Sequence, residues 1–358
     1  MNNIFKEKSL SFLKKYLKSF TPSGYEIEGQ RIWKKYLQNY VDEIKIDNYG
    51  TTFGIINNKE DYKIMIEAHV DEVSWSVKYI SEDGLIFVSK NGGTDHLIAN
   101  SKEVEIYTEK GIIPGVFGIT AIHTRTKEIP IKVEDLFIDV GAKNKKEVKK
   151  LGIKIGCNIS YKYNFNILNK KYLVSKALDN KIGGFIIAEV ARIIKKTINK
   201  LPYSLYIVNS VQEEIGLRGA KMIANNIKPD LSIIIDVCPD TTTPFISQKK
   251  YGKIKSGLGP VITYSPAVHN NFRDFMIKIA NKNKIKFQKL LSSIYTGTDT
   301  DVIAYSNYGI ISSLISIPLK YLHTTVEMIN MDDVKNTIFF LVNILKEIKY
   351  KHNFKYSL

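Results

Sequence analysis

The chain has 358 residues, with 52 Lys and Arg against 36 Asp and Glu, a formal net charge of +16 and 44% hydrophobic residues. That length can bury a large core and favours division into two domains, and the lack of an apolar run of roughly 18 residues excludes a helical membrane protein. The Lys residues are scattered beside Asn and Ile, with no RNP-like, zinc-finger or Arg-rich motif, so the charge argues for solubility rather than for a nucleic-acid partner.

The opening segment, MNNIFKEKSLSFLKKYLKSF, places Leu13, Tyr16 and Leu17 on one helical face. It lacks the continuous apolar stretch and small-residue cleavage site of a signal peptide. Cys157 and Cys238 lie far apart and form no framework. Together these features point to a cytoplasmic protein with reduced thiols. A TPSGYE turn leads to a second helix over about 26–41, and short strands follow. The run YKIMIEA is almost wholly apolar, as expected of a strand covered on both faces, and it ends at His69. His69 and Asp71 are two apart and share a face in extended chain. An imidazole there can bind zinc while the carboxylate orients it. An isolated His-x-Asp also suits a surface hydrogen bond, but open α/β sheets place their sites at such strand ends.

From about residue 74 to 165 the texture changes to strand-like pieces of five to seven residues alternating with Gly-rich turns. This pattern predicts a β domain inserted into an α/β domain, with a short helix near 145–151. The expected division is therefore 1–73 and 166–358 for the α/β domain and 74–165 for the insert. His96 reads as a loop residue, and His123 as a weak candidate for reaching the site.

The α/β pattern resumes near Tyr172. KALDNKIGG puts Asp179 just before a helix over about 181–195, where it suits an N-cap or a carboxylate shared by two metals. SLYIVNSV is an alternating strand, and the Glu213–Glu214 pair follows it in SVQEEIGLRGA. Adjacent side chains at a strand end point apart, so one carboxylate can hold a metal while the other handles a proton. LSIIIDVC carries Asp236 in an apolar strand, which costs several kcal/mol unless the acid is paired or metal-bound. Cys238, two further on, reads as core. A helix over about 271–284, the segment TGTDTDV and a last strand ending at Pro318 precede His323 in KYLHTTVEM. The final helix starts near Asn330 with Asp332 and Asp333 in its first turn, and the tail from Tyr350 reads as frayed.

Two histidines and several carboxylates at strand and helix ends suit a pair of zinc or cobalt ions, and a two-metal clamp with a carboxylate base is hydrolytic chemistry. No GxSxG elbow, Walker A loop or dinucleotide fingerprint competes.

In this order AHVDEV, KALDN, QEEIGLRGA, IIIDV, GTDTD and IPLKYLHTTVEM closely resemble the tetrahedral (TET-type) dinuclear metallo-aminopeptidases. That family includes glutamyl and deblocking aminopeptidases and members once labelled cellulase M or endoglucanase. The resemblance implies a three-layer α/β/α exopeptidase sandwich with an inserted PDZ-like β domain used for dimerisation, six dimers forming a dodecamer. It implies that His69, Asp179 and Asp236 hold one metal, that Asp179, Glu214 and His323 hold the other, that Asp71 orients His69, and that Glu213 is the general base toward a water bridging the two. The implied substrates are short peptides with a free N-terminus. Ser74 and Leu258 replace residues usual in the family, Gly and Lys respectively, and neither is a candidate ligand. A two-metal deacylase of N-acyl amino acids or peptides is the alternative. A glycoside hydrolase would use paired carboxylates without needing two histidines.

Overall fold

The computed structural model describes residues 5–125, 131–198 and 200–356. The fold is α/β, with one mixed sheet between two helical layers and a separate closed barrel.

The strand Lys63–His69 runs along the middle of the sheet, parallel to Ser204–Ser210 on one side and Leu231–Pro239 on the other. Ile311–Lys320 continues the parallel set beyond Leu231–Pro239. Antiparallel strands extend both margins, with Thr52–Ile56 and Glu43–Ile46 at one and Glu327–Asn330, Tyr172–Ser175 and Asn166–Leu168 at the other. The near-continuous apolar run in Lys63–His69 follows from cover on both faces. Ile64 and Ile66 pack with Phe12, Trp33 and Phe185. Met65, pointing the other way, packs with Ile223 and Ile303.

The helix Leu178–Thr197 lies against this strand, burying Ile182, Ile186 and Val190 at helical spacing. The last helix, Met331–Glu347, packs on it and buries Val334, Ile338, Leu341 and Leu345. Among the described residues no helix is long and apolar enough to cross a membrane.

The insert is a closed barrel formed by the strands Ser74–Ile80, Ile86–Asn91, Phe137–Asp139, Gly111–Phe117, Glu103–Thr108 and Asn158–Tyr161. It has its own core, with Trp75, Val88, Ile106, Phe117, Ile138 and Ile159 inside. The short helix foreseen there is Lys145–Lys150. Residues 126–130 of the insert lie outside the described residues.

Several expectations need correction. The second helix ends at Leu37, four residues early, because Tyr40 and Val41 turn back to the sheet and helix core instead of extending the helix. The last long strand continues through Pro318 to Lys320, and the strand Glu327–Asn330 after it is missing from the sequence reading. The tail is docked up to Tyr356. Phe354 is buried with its ring centroid 5.0 Å from Phe272 and 5.2 Å from Phe275, and Tyr356 stacks on His269 at 4.4 Å. Aromatic residues two apart anchor this otherwise polar segment.

Candidate metal centre

The parallel strands all point the same way, so their C-terminal ends form one rim, where open α/β sheets build their sites. His69 is the last residue of its strand and pairs with Ser210, so Glu213 and Glu214 follow just past the end of the neighbouring strand. Asp236 lies within Leu231–Pro239, and His323 sits in the turn after Ile311–Lys320 with φ +59°. Asp179 comes from the start of the long buried helix, where it and Asn180 leave helical geometry. The N-cap role falls to Asn180, whose Oδ1 accepts the Gly183 N–H at 3.0 Å while its amide donates to the Ile235 carbonyl at 2.8 Å. That correction leaves Asp179 free to face the rim.

The histidines meet on Asp179. His69 Nε2 is 3.2 Å from Asp179 Oδ1, and His323 Nε2 is 3.2 Å from Asp179 Oδ2. Asp236 Oδ1 lies 3.8 Å and Glu213 Oε2 3.9 Å from His69 Nε2, and Glu214 Oε1 lies 3.3 Å from His323 Nε2. His69, Asp179 and Asp236 form one group with ligand atoms mutually within 4.8 Å, Asp179, Glu214 and His323 a second, and His69, Glu213 and Glu214 a third. Donors about 2.0–2.1 Å from a tetrahedral cation stand roughly 3.3 Å apart, so the closer contacts already have nearly that spacing.

Charge makes the same case. Burial pushes the Glu213 carboxyl up to about 10, with Asp299, Asp236 and Glu214 adding to it against the pull of His69. Burial likewise raises Asp236 well above the usual carboxylate range, with Asp179 adding to it. Burial opposes a charge on either imidazole, yet the surrounding carboxylates outweigh it and raise both, His323 to about 12. Crowded carboxylates of this kind are relieved by positive charge placed among them. The residues present therefore fit divalent cations, and their N and O donors suit zinc or cobalt.

The supporting residues hold these side chains through backbone bonds. Asp71 is fully buried, and its carboxylate accepts the N–H groups of Glu213 at 3.0 Å and Glu214 at 3.1 Å and the Ser23 hydroxyl at 2.6 Å. Its Oδ1 is 3.4 Å from His69 Nδ1, an ionic contact longer than a good hydrogen bond. Glu327, which the sequence reading missed, accepts the N–H of His323 at 2.9 Å and of Asp179 at 3.1 Å, tying both turns together. Its only sequence signal is an acid four residues after His323, followed at once by an apolar strand.

Also missed is a buried pair beneath the rim. Ser210 lies between Glu67 and Asp299, its Oγ 2.5 Å from Glu67 Oε1 and 3.1 Å from Asp299 Oδ2. Burial raises the Glu67 carboxyl to about 7. A third missed cluster joins Glu72 to Lys176 at 2.5 Å and Lys181 at 3.4 Å, with Lys176 also donating to Ser160 of the barrel at 2.7 Å.

Other singled-out residues stand apart. His123 is exposed in the turn Ile122–Thr124, His96 begins the turn His96–Ile98, and neither belongs to the three groups. Cys238 packs against Ile254 and Val261, as core residues do. Leu258 is exposed in a turn that Asp333 clasps by accepting the Gly257 and Gly259 N–H groups at 2.6 and 2.7 Å. Asp333 thus anchors that turn as well as starting a helix.

The family model for M42 glutamyl aminopeptidases matches residues 50–340. A lysyl aminopeptidase of Pyrococcus furiosus is 33% identical over 345 residues, covering 94% of this chain and 96% of its own. Among solved structures, a TET aminopeptidase from a marine sediment Thaumarchaeota archaeon superposes with a TM-score of 0.91 at 29% identity, over 96% of this chain and 97% of that one. The TET1 peptidase of Pyrococcus horikoshii, which can assemble into a tetrahedron or a large octahedral shell, gives a TM-score of 0.84 at 28% identity, over 95% and 100% of the two chains.

Proposed function

This chain belongs to the M42 glutamyl aminopeptidase family, and from that premise we propose that it removes N-terminal residues from short peptides using two divalent cations and Glu213 as general base. The observation that carries this reading is Asp179, whose two oxygens each lie 3.2 Å from a different histidine. One cation would sit among His69, Asp179 and Asp236, the other among Asp179, Glu214 and His323. When bound, zinc or cobalt ions supply Lewis acidity toward a water and the scissile carbonyl.

Glu213 stands further from His69 than Asp179 does, with room to take a proton from the attacking water and return it to the leaving amine. Asp71 holds the backbone of Glu213 and Glu214 in place and faces His69 from behind. In this reading the chain divides into residues 1–73, 74–165 and 166–358, supported by the barrel strands, which fall between Ser74 and Tyr161. The assemblies of related peptidases, a dodecamer among them, support self-association; in this reading the barrel would make the dimer and six such dimers the dodecamer.

The test is release from a panel of aminoacyl anilides by chelator-stripped protein, with and without added zinc or cobalt. Metal-dependent release from free-amine substrates is expected. Silence across the panel, with cleavage of N-acyl substrates instead, would replace this reading with a two-metal deacylase.

A further inference from the structure

The two histidines are fixed by different parts of the molecule. His69 ends a central strand and faces Asp71 from within the same rim. His323 lies in a turn, where its backbone is held by Glu327 but its ring is free of the sheet. The ring's Nε2 meets Asp179 and Glu214, and its Nδ1 meets the Gly93 carbonyl at 3.1 Å. Gly93 belongs to the inserted barrel, in the turn that follows the strand Ile86–Asn91.

The turn fits closely over the site. A Cβ on Gly92, where φ is +81°, would lie 3.2 Å from Glu214 Cβ and 3.4 Å from the Val73 side chain. A Cβ on Gly93 would lie 3.1 Å from both Cε1 and Nδ1 of His323. The turn is tethered on its other side, where Asn91 donates to the Ser23 carbonyl at 3.0 Å and Ser23 donates to Asp71. A carbonyl only accepts, so the ring nitrogen facing it carries the proton. That leaves Nε2, which faces Asp179 and Glu214, as the ring atom that would give up its proton to a cation placed among them, the arrangement by which an outer partner prepares a histidine for a metal.

We propose that the Asn91–Gly92–Gly93 turn of the barrel is a positioning element for the cation of the Asp179–Glu214–His323 group, touching a member of that group directly and reaching His69 only indirectly, through Ser23 and Asp71. The proposal rests on the two-cation reading above. Glycine is needed at position 93 for lack of bulk, since its φ is not left-handed, whereas at position 92 it is needed for both bulk and backbone conformation.

The test is zinc titration of chelator-stripped, full-length protein by calorimetry, with bound metal counted by elemental analysis after dialysis. Wild type is expected to take up two equivalents. Gly93→Ala is expected to keep one at wild-type affinity and to lose about 10–100-fold on the other, with the melting temperature of the stripped protein unchanged. Asn91→Ala, which adds no atoms, is expected to shift the same single equivalent in the same direction by less. Two unchanged equivalents in both variants would overturn the role of the turn alone. Equal weakening of both equivalents with a lower melting temperature would reduce it to general stability. A wild type that binds fewer than two would overturn this proposal and the two-cation reading together.

Discussion

Glu213 and Glu214 are chemically identical neighbours that the chain sends to different surroundings. Glu214 faces His323 at 3.3 Å, whereas Glu213 stands 3.9 Å from His69 and lies among Asp299, Asp236 and Glu214. In the proposed reading the first is a ligand and the second the base. Glu213→Gln is expected to retain both metal equivalents by elemental analysis and to lose roughly 10²–10⁴-fold in kcat. Full activity in that variant would move the base elsewhere. Asp236 is conspicuous in the sequence for a simple reason, since an acid within an apolar strand must have a partner. Glu327 gives no such signal, because the groups it holds, the backbone N–H of Asp179 and of His323, become its neighbours only after folding.

Elements meet at Glu72, where the segment after the central strand, the barrel strand Asn158–Tyr161 and the start of the long buried helix converge on one ion cluster. Burial alone would raise the Glu72 carboxyl, but Lys176 and Lys181 outweigh it and hold it at about 2. A carboxyl whose folded pKa is depressed stabilises the fold above its unfolded value and loses that contribution as the pH falls through its folded value. The Glu72 contribution, on the order of 3 kcal/mol for a shift of this size, is therefore complete above pH ~4.5 and fades toward pH ~2. Denaturant unfolding of wild type and Glu72→Gln across that range should show their stability gap closing as the pH falls; a constant gap would refute it. The apolar strands, the long helices and the change of texture at the barrel were legible because periodicity is local. The helix end at Leu37 and the docked tail were not, because Tyr40, Val41 and Phe354 take their places from contacts far away in sequence. The residues that gather at the rim could be picked out as polar groups in or just after strands and, for Asp179, at a helix start, but the Gly93 contact could not, since it joins positions 230 apart.

At the scale of the whole molecule, a strongly basic chain, +16 overall, concentrates acids at one rim. Cations that bind only the folded state stabilise it by mass action, by about 4 kcal/mol at a thousand-fold excess over Kd. Adding zinc or cobalt to the stripped protein should therefore raise its melting temperature by several degrees, with no rise from magnesium at equal concentration, since magnesium prefers six oxygen donors. An equal rise with magnesium would argue for a hard oxygen site instead. Strand order has a further consequence, one for synthesis. The strand ending at His69 is made early but lies between strands that begin at Ser204 and Leu231, and the histidine of the second group comes at residue 323. The barrel, by contrast, draws all its strands from one continuous stretch, Ser74 to Tyr161, and its pairings are comparatively local. On the ribosome the insert can close while its host sheet still waits for partners, and a product ending before His323 lacks a member of the second group. Nascent chains nearby therefore meet a folded barrel well before they meet a complete cutting edge.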